Sequence, residues 1–135
     1  MKKKIIFPLF IVVAISFLLS CNSSSTIVLN GKYGVEKVLD IPGKHDAFVM
    51  FNDTTGLLSA NMGCNIINAK YKLLEGNKLE IENGLSTKMM CPDPALEDAF
   101  LGVLDKIKMV KTTEDGKIQL LDTEKNCLVI LIKDN

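Results

Sequence analysis

Few side chains in this 135-residue chain can do chemistry: four cysteines (Cys21, Cys64, Cys91, Cys127), one histidine (His45) and six methionines. Cys64, Cys91, Cys127 and His45 are the residues a metal would draw on. A tetrahedral zinc site is built from close ligand pairs such as C-x-x-C, and no two of these residues stand that close in sequence. His45 sits in Pro42-Gly43-Lys44-His45-Asp46, which reads as a loop, so no metal site is expected. A thiol enzyme needs a base beside its cysteine. Cys91 precedes Pro92-Asp93 near an expected helix N-terminus, a place where a thiol pKa can fall. A disulfide or core position is the simpler reading. Met89 and Met90 are soft donors, but with no further Met or His nearby the expectation is one core residue and one facing out. A phosphate-cradling Gly-rich loop, G-x-S-x-G and H-E-x-x-H do not occur in the sequence. The chain is therefore expected not to be an enzyme and to need no cofactor.

Cys21 is explained by what precedes it. Lys2-Lys3-Lys4 form a positive start, and about 15 mostly apolar residues run from Ile5 to Leu19. That length suits a signal peptide and is short for a spanning helix. Leu18-Leu19-Ser20-Cys21 resembles a lipobox, in which the cysteine sulfur is acylated and the chain is cut just before it. A multiply acylated cysteine anchors stably where one acyl chain does not. Residues 1–20 read as the signal, 21–30 as a tether opening with Asn22-Ser23-Ser24-Ser25-Thr26, and 31–135 as the domain. Asn22, not Asp, follows the cysteine, which resembles outer-membrane sorting in Gram-negative cells. The neutral run after it favours the periplasmic face.

The chain carries 16 basic and 16 acidic side chains, and every basic one is lysine. Removing the three lysines of the signal leaves 13 against 16, a weakly acidic domain. Arginine's planar fork is the usual tool for phosphate and base recognition, so nucleic acid is not an expected partner. Three cysteines remain in a compartment that permits disulfides, so at most one internal bridge forms and one thiol is left over.

The elements that must position these residues are mostly strands. Ala47–Phe51 is a compact apolar run followed by the turn Asn52–Gly56, and Leu57–Asn61 resumes an extended stretch. Ile67, Ala69, Tyr71 and Leu73 alternate with Asn68, Lys70 and Lys72. Leu79 and Ile81 alternate with Lys78, Glu80 and Glu82, and Leu85–Cys91 extends after the turn Asn83-Gly84. Asp93-Pro94 offers an N-cap and a first-turn proline. Leu96, Ala99, Phe100, Val103, Leu104 and Ile107 then form one apolar stripe, with Glu97 and Asp98 in the first turn and Lys106 near the far end. A three-strand meander follows: Ile107–Val110, Ile118–Leu121 and Cys127–Ile132, the last apolar on both faces with Cys127 as a core thiol. The fold class is α+β. The expected architecture is a curled antiparallel sheet of about seven or eight short strands, a partial barrel, with one amphipathic helix over a face or end.

Two clusters carry a family resemblance. The first is Ser59-Ala60-Asn61-Met62-Gly63-Cys64-Asn65 with Lys70-Tyr71. The second is Ser86-Thr87-Lys88-Met89-Met90-Cys91-Pro92 with Glu97, Phe100-Leu101 and Leu104. In order and spacing they resemble the META domain, the HslJ-like family of bacterial envelope proteins, across about Gly31 to Ile132. That family pairs a Gly-Cys-Asn element and a downstream Tyr with a Thr-Arg-Met-x-Cys element leading into a helix with E-x-x-F-L-x-x-L. Here Tyr33 stands in place of Trp, Ala60 and Ala69 in places that are often Gly, and Lys88 in place of Arg, which keeps charge but loses the fork. The resemblance implies a motif set of Gly63, Cys64, Asn65, Tyr71, Thr87, Met89 and Cys91. It also implies an envelope setting, with family members linked to heat shock, drug tolerance and virulence, and brings no agreed catalytic activity.

Read from the residues, Gly63 permits a backbone angle or close approach, and Asn65 can bond backbone at its own turn. Cys64 and Cys91 are either two buried thiols or a bridge closing a loop of about 28 residues. Two functions follow. One is a lipid-anchored, non-enzymatic module that binds an envelope protein or small ligand beside these two motifs. The other is a redox or metal-handling protein using Cys64 and Cys91.

Overall fold

The structure is a computed structural model that describes residues 26–134; the expected signal (1–20), Cys21 and residues 22–25 of the tether lie outside the described residues. Ten strands are numbered in chain order: β1 Gly31–Val38, β2 Ile41–Pro42, β3 Phe48–Asn52, β4 Leu57–Asn61, β5 Ile66–Leu74, β6 Lys78–Ile81, β7 Leu85–Ser86, β8 Met109–Thr112, β9 Ile118–Leu121 and β10 Cys127–Lys133. Among the described residues one α-helix, α1, spans Ala95–Leu104. A single turn of 3₁₀ helix, Glu75–Asn77, joins β5 to β6.

Alternation along the strands sets which side is buried. In β5, Ile67, Ala69 and Tyr71 point into the core while Ile66, Asn68, Lys70 and Lys72 face out. The neighbour order is β10-β9-β8-β6-β5-β4-β3-β1, and β10 pairs back onto β1 through Tyr33↔Lys133 to Val38↔Val129. The sheet is thus a closed eight-stranded antiparallel barrel rather than the partial one expected. The first strand supplies the closing edge, and closure removes the exposed edges that an open sheet would present. β2 pairs only with β1, and β7 only with β5. The seam between β6 and β8 is the thinnest, with one paired position, Lys78↔Met109.

Because every pairing is antiparallel, connections alternate between the two barrel ends. The chain entry, the β3–β4 and β5–β6 turns and the β8–β9 turn share one end. The β1–β3 and β4–β5 loops, the β6–β8 connection that carries α1, and the β9–β10 turn share the other. The barrel is filled by Val38, Val49, Phe51, Leu58, Ala60, Ile67, Leu79, Leu120, Val129 and Leu131, and α1 adds Leu96, Phe100, Val103 and Leu104 to the same core. Burying a side chain the size of Phe100 contributes about 2–3 kcal/mol.

Several expectations change. Within the expected tether (21–30), Ile27 packs against the core, and Leu29 is buried with its carbonyl accepting a bond from the Tyr71 hydroxyl at 3.0 Å. Pro94, not Asp93, is the helix N-cap, with no side-chain capping bond. The helix ends at Leu104, so Ile107 is buried just beyond it and Lys106 lies outside. Of Leu85–Cys91 only Leu85 and Ser86 pair as strand, because the chain must then swing away to bring Cys91 to Cys64. The last strand buries Leu128, Val129 and Leu131 but leaves Ile132 and Cys127 exposed. A register shift between Cys127 and Val129 turns the thiol off the inward face, so it is not a core thiol.

Candidate functional site

The two motif loops meet at the barrel end that holds α1. Gly63, Cys64 and Asn65 form the tight link between β4 and β5, and Thr87 to Cys91 lead from β7 toward α1. Gly63 has φ +107°, a left-handed angle that a side chain strains, and a Cβ there would lie 2.9 Å from Cδ of Lys44. The Asn61 side chain accepts the Gly63 N–H at 2.7 Å and holds this turn. The turn aims Cys64 at Cys91, and the two are joined by a disulfide with Cα atoms 6.0 Å apart.

Asn65 is the hub beneath the bridge. It is buried, and its side-chain bonds cross the chain rather than serving its own turn, as the sequence had suggested. Oδ1 accepts the Thr87 hydroxyl at 3.0 Å and the Met89 N–H at 2.8 Å. Nδ2 donates to Glu97 Oε1 at 2.7 Å, and shares further contacts with the Met89 carbonyl at 3.3 Å and Cys91 Sγ at 3.4 Å. The Asn65 backbone N–H donates to Glu97 Oε2 at 3.0 Å. Thr87 completes the lock: its hydroxyl accepts the Ile66 N–H at 3.0 Å and its own N–H donates to the Ile66 carbonyl. One amide side chain thus fixes both loops and the first turn of α1, and its bonding capacity is filled.

Glu97 is the residue the motif set left out. It is buried although charged, and each carboxylate oxygen takes one bond from Asn65. A signal for it was present: Glu97 stands three before Phe100 and seven before Leu104, on the apolar stripe where a carboxylate has no place unless it is paired. Lys44 was also missed. Its ammonium donates to the Asp93 carbonyl at 2.9 Å and lies 3.4 Å from the Asp93 carboxylate, strapping the β2–β3 loop over the helix start.

The other residues singled out from sequence are elsewhere. Tyr71 lies inside the barrel, edge-to-face with Phe51 at 5.1 Å, which in turn meets Tyr33 at 5.8 Å. Burial, then nearby Asp53, push the Tyr71 phenol pKa above its ordinary value. Met89 and Met90 both face solvent, not one in and one out, because the backbone at Met89 is held by Asn65 and its side chain is turned outward. His45 is exposed in the β2–β3 loop. Cys127 stands at the start of β10 as a free thiol; the residue is exposed but its sulfur is partly desolvated, and that desolvation outweighs Lys37 in raising its pKa.

Chemically, the arrangement is a bridge and a saturated polar knot. Cys64 Sγ, Cys91 Sγ and a Glu97 oxygen lie within 4.8 Å of one another. The sulfurs are bonded to each other, and neither is a thiolate that could attack a substrate or ligate a metal. Of the groups weighed for chemistry in the sequence, Cys64 and Cys91 hold the two loops together.

Among the described residues the architecture is a closed eight-stranded barrel stoppered by one helix and stapled through a Gly-Cys-Asn loop. This chain belongs to the META domain family, whose model matches residues 26–135. Two solved structures share the fold. An NMR structure of a protein from Burkholderia xenovorans is 22% identical, with a TM-score of 0.60 over 79% of this chain and 84% of that one. A crystal structure of a DUF4847 family protein from Bacteroides vulgatus is 11% identical, with a TM-score of 0.56 over 80% of this chain and 95% of that one. None of the curated proteins matches this chain.

Proposed function

We propose that this META-domain protein is a non-enzymatic module of the cell envelope, anchored by lipid on Cys21 at the periplasmic face of the outer membrane. Its task is to bind a partner protein through the tip formed by Leu85, Met89 and Met90. The observation behind this reading is the contrast at the motif. Asn65, Thr87, Glu97 and the two cysteines are consumed in holding the loop, while Met90 is fully exposed and Met89 59% exposed on it, and Leu85, in β7 just before the loop, is 81% exposed. Unbranched, polarizable methionines suit an adaptable apolar contact. Apolar side chains on a rigid loop lose little entropy when they bind. The redox or metal-handling alternative would use Cys64 and Cys91, which are joined as a disulfide; a bridge that proves non-exchanging in a thiol titration of the mature protein with mass spectrometry removes it.

A photo-crosslinking residue placed at Met90 in cells tests the reading. A discrete adduct in the envelope fraction is expected, lost on Met89→Glu and absent when the probe sits at Lys111 on the barrel. Adducts of equal yield at both positions would rule out a docking tip. Labelling with an alkyne fatty acid, expected to mark the protein and to fail on Cys21→Ser, tests the anchor.

A further inference from the structure

The barrel topology determines which way an anchored domain faces. The described chain enters at Thr26, which shares a surface cleft with Ile27, Leu74 and the 3₁₀ turn Glu75–Asn77. A neighbouring cleft on the same end is lined by Val28, Asp53, Gly56 and Leu74. Asp53 of the β3–β4 turn donates its N–H to the Asn30 side chain at 3.4 Å, so the entering segment is tied to that end. Val28, Leu57 and Leu74 are the large apolar side chains exposed around it. Five peptide steps separate Cys21 from Thr26 in the sequence, and such a span reaches at most about 18 Å.

Resting on the lipid-anchor reading above, we propose that the entry end, with Val28, Leu57 and Leu74, lies against the bilayer that holds Cys21. The α1 end, with the disulfide and the Met89–Met90 tip, then points away from it. A tether this short cannot carry the anchor around the barrel to the other end. Along β5, Ile66 at the α1 end and Leu74 at the entry end are nine residues apart inclusive. At about 3.3 Å per residue and a tilt of about 40° that separates the two ends by about 20 Å along the axis. The occupant of the entry end is the lipid surface, met by apolar side chains at the headgroup boundary. The tip is left free for a protein partner.

Cys127, the free thiol among the described residues, provides a probe at the far end. Cys127 opens β10 beside the β9–β10 turn, at the α1 end, and is exposed. Full-length lipidated protein, labelled at Cys127 with a thiol-reactive fluorophore, is reconstituted in phosphatidylcholine vesicles containing headgroup spin-labelled lipid. It is compared with protein labelled at Glu75→Cys in a Cys127→Ser background. Glu114→Cys, in the β8–β9 turn, serves as a second entry-end site should the first variant fold poorly. Quenching at the entry-end sites is expected to exceed that at Cys127 at least three-fold. Equal or reversed quenching on protein shown by mass spectrometry to be acylated overturns the orientation and leaves the anchor standing. Protein found unacylated overturns both.

Discussion

Glu97→Gln is the sharpest perturbation of the knot, because it changes one atom and almost no volume. In the wild type both carboxylate oxygens accept, one from the Asn65 N–H at 3.0 Å and one from Asn65 Nδ2 at 2.7 Å. A glutamine has only one acceptor end. Whichever way its amide is placed, an NH₂ group faces one of the two Asn65 donors. The loss is one bond to a charged acceptor, about 1.5–3 kcal/mol, together with a buried donor left without a partner, about 1–3 kcal/mol. Since the amide can shift and the two losses overlap, the expected cost is about 2–4 kcal/mol. Against a typical total stability of about 5–15 kcal/mol this is large. With a urea slope of about 1.5–2 kcal/mol/M, the midpoint should fall by about 1–3 M with the slope unchanged. Urea denaturation of the oxidised domain, followed by circular dichroism, measures it. The double variant with Asn65→Ala should lose much less than the two single losses combined, because both remove the same contacts. A shift below about 0.3 M for Glu97→Gln, or additive losses in the double variant, would refute the claim that these two residues form the lock.

The remaining outcomes bear on the same end of the barrel and on the free thiol. Replacing both Cys64 and Cys91 by serine, with their 27-residue separation, should cost about 3–4 kcal/mol by chain entropy, seen as a lower melting temperature that matches the reduced wild type. Gly63→Ala imposes a side chain at φ +107° and presses on the Lys44 stem, so a loss of about 1–2 kcal/mol is expected in thermal unfolding. A neutral result would mean the turn relaxes freely. Cys127 should react with iodoacetamide more slowly at neutral pH than the same cysteine in a peptide, with the rate rising through a midpoint above the ordinary thiol range, because partial desolvation of its sulfur raises its pKa. Lys37→Ala should move that midpoint higher still, since Lys37 opposes the shift.

Much of the barrel was legible in the chain because strand patterning is local. Ile67, Ala69 and Tyr71 alternate with polar neighbours, and the structure buries that face. The helix was legible from its stripe, since Leu96, Phe100, Val103 and Leu104 recur at helical spacing and are buried. Its ends were not. Asp93 has the chemistry of a cap, but its carboxylate is paired with Lys44 from a loop 49 residues away, which no local pattern encodes. Closure was also out of reach, because it depends on β1 and β10 meeting from opposite ends of the domain.

The sequence by itself determined that Gly63, Cys64 and Asn65 form one element and Thr87 to Cys91 another, since residue type and spacing are one-dimensional facts. What those residues do was decided only in three dimensions. Asn65 is the hub because the barrel brings β4–β5, β7 and α1 to one point, and Glu97 is its partner because a buried carboxylate must find donors. Cys127 and Met89 show the converse: both are residue types often found inside, and the tertiary path of the chain left each of them facing water.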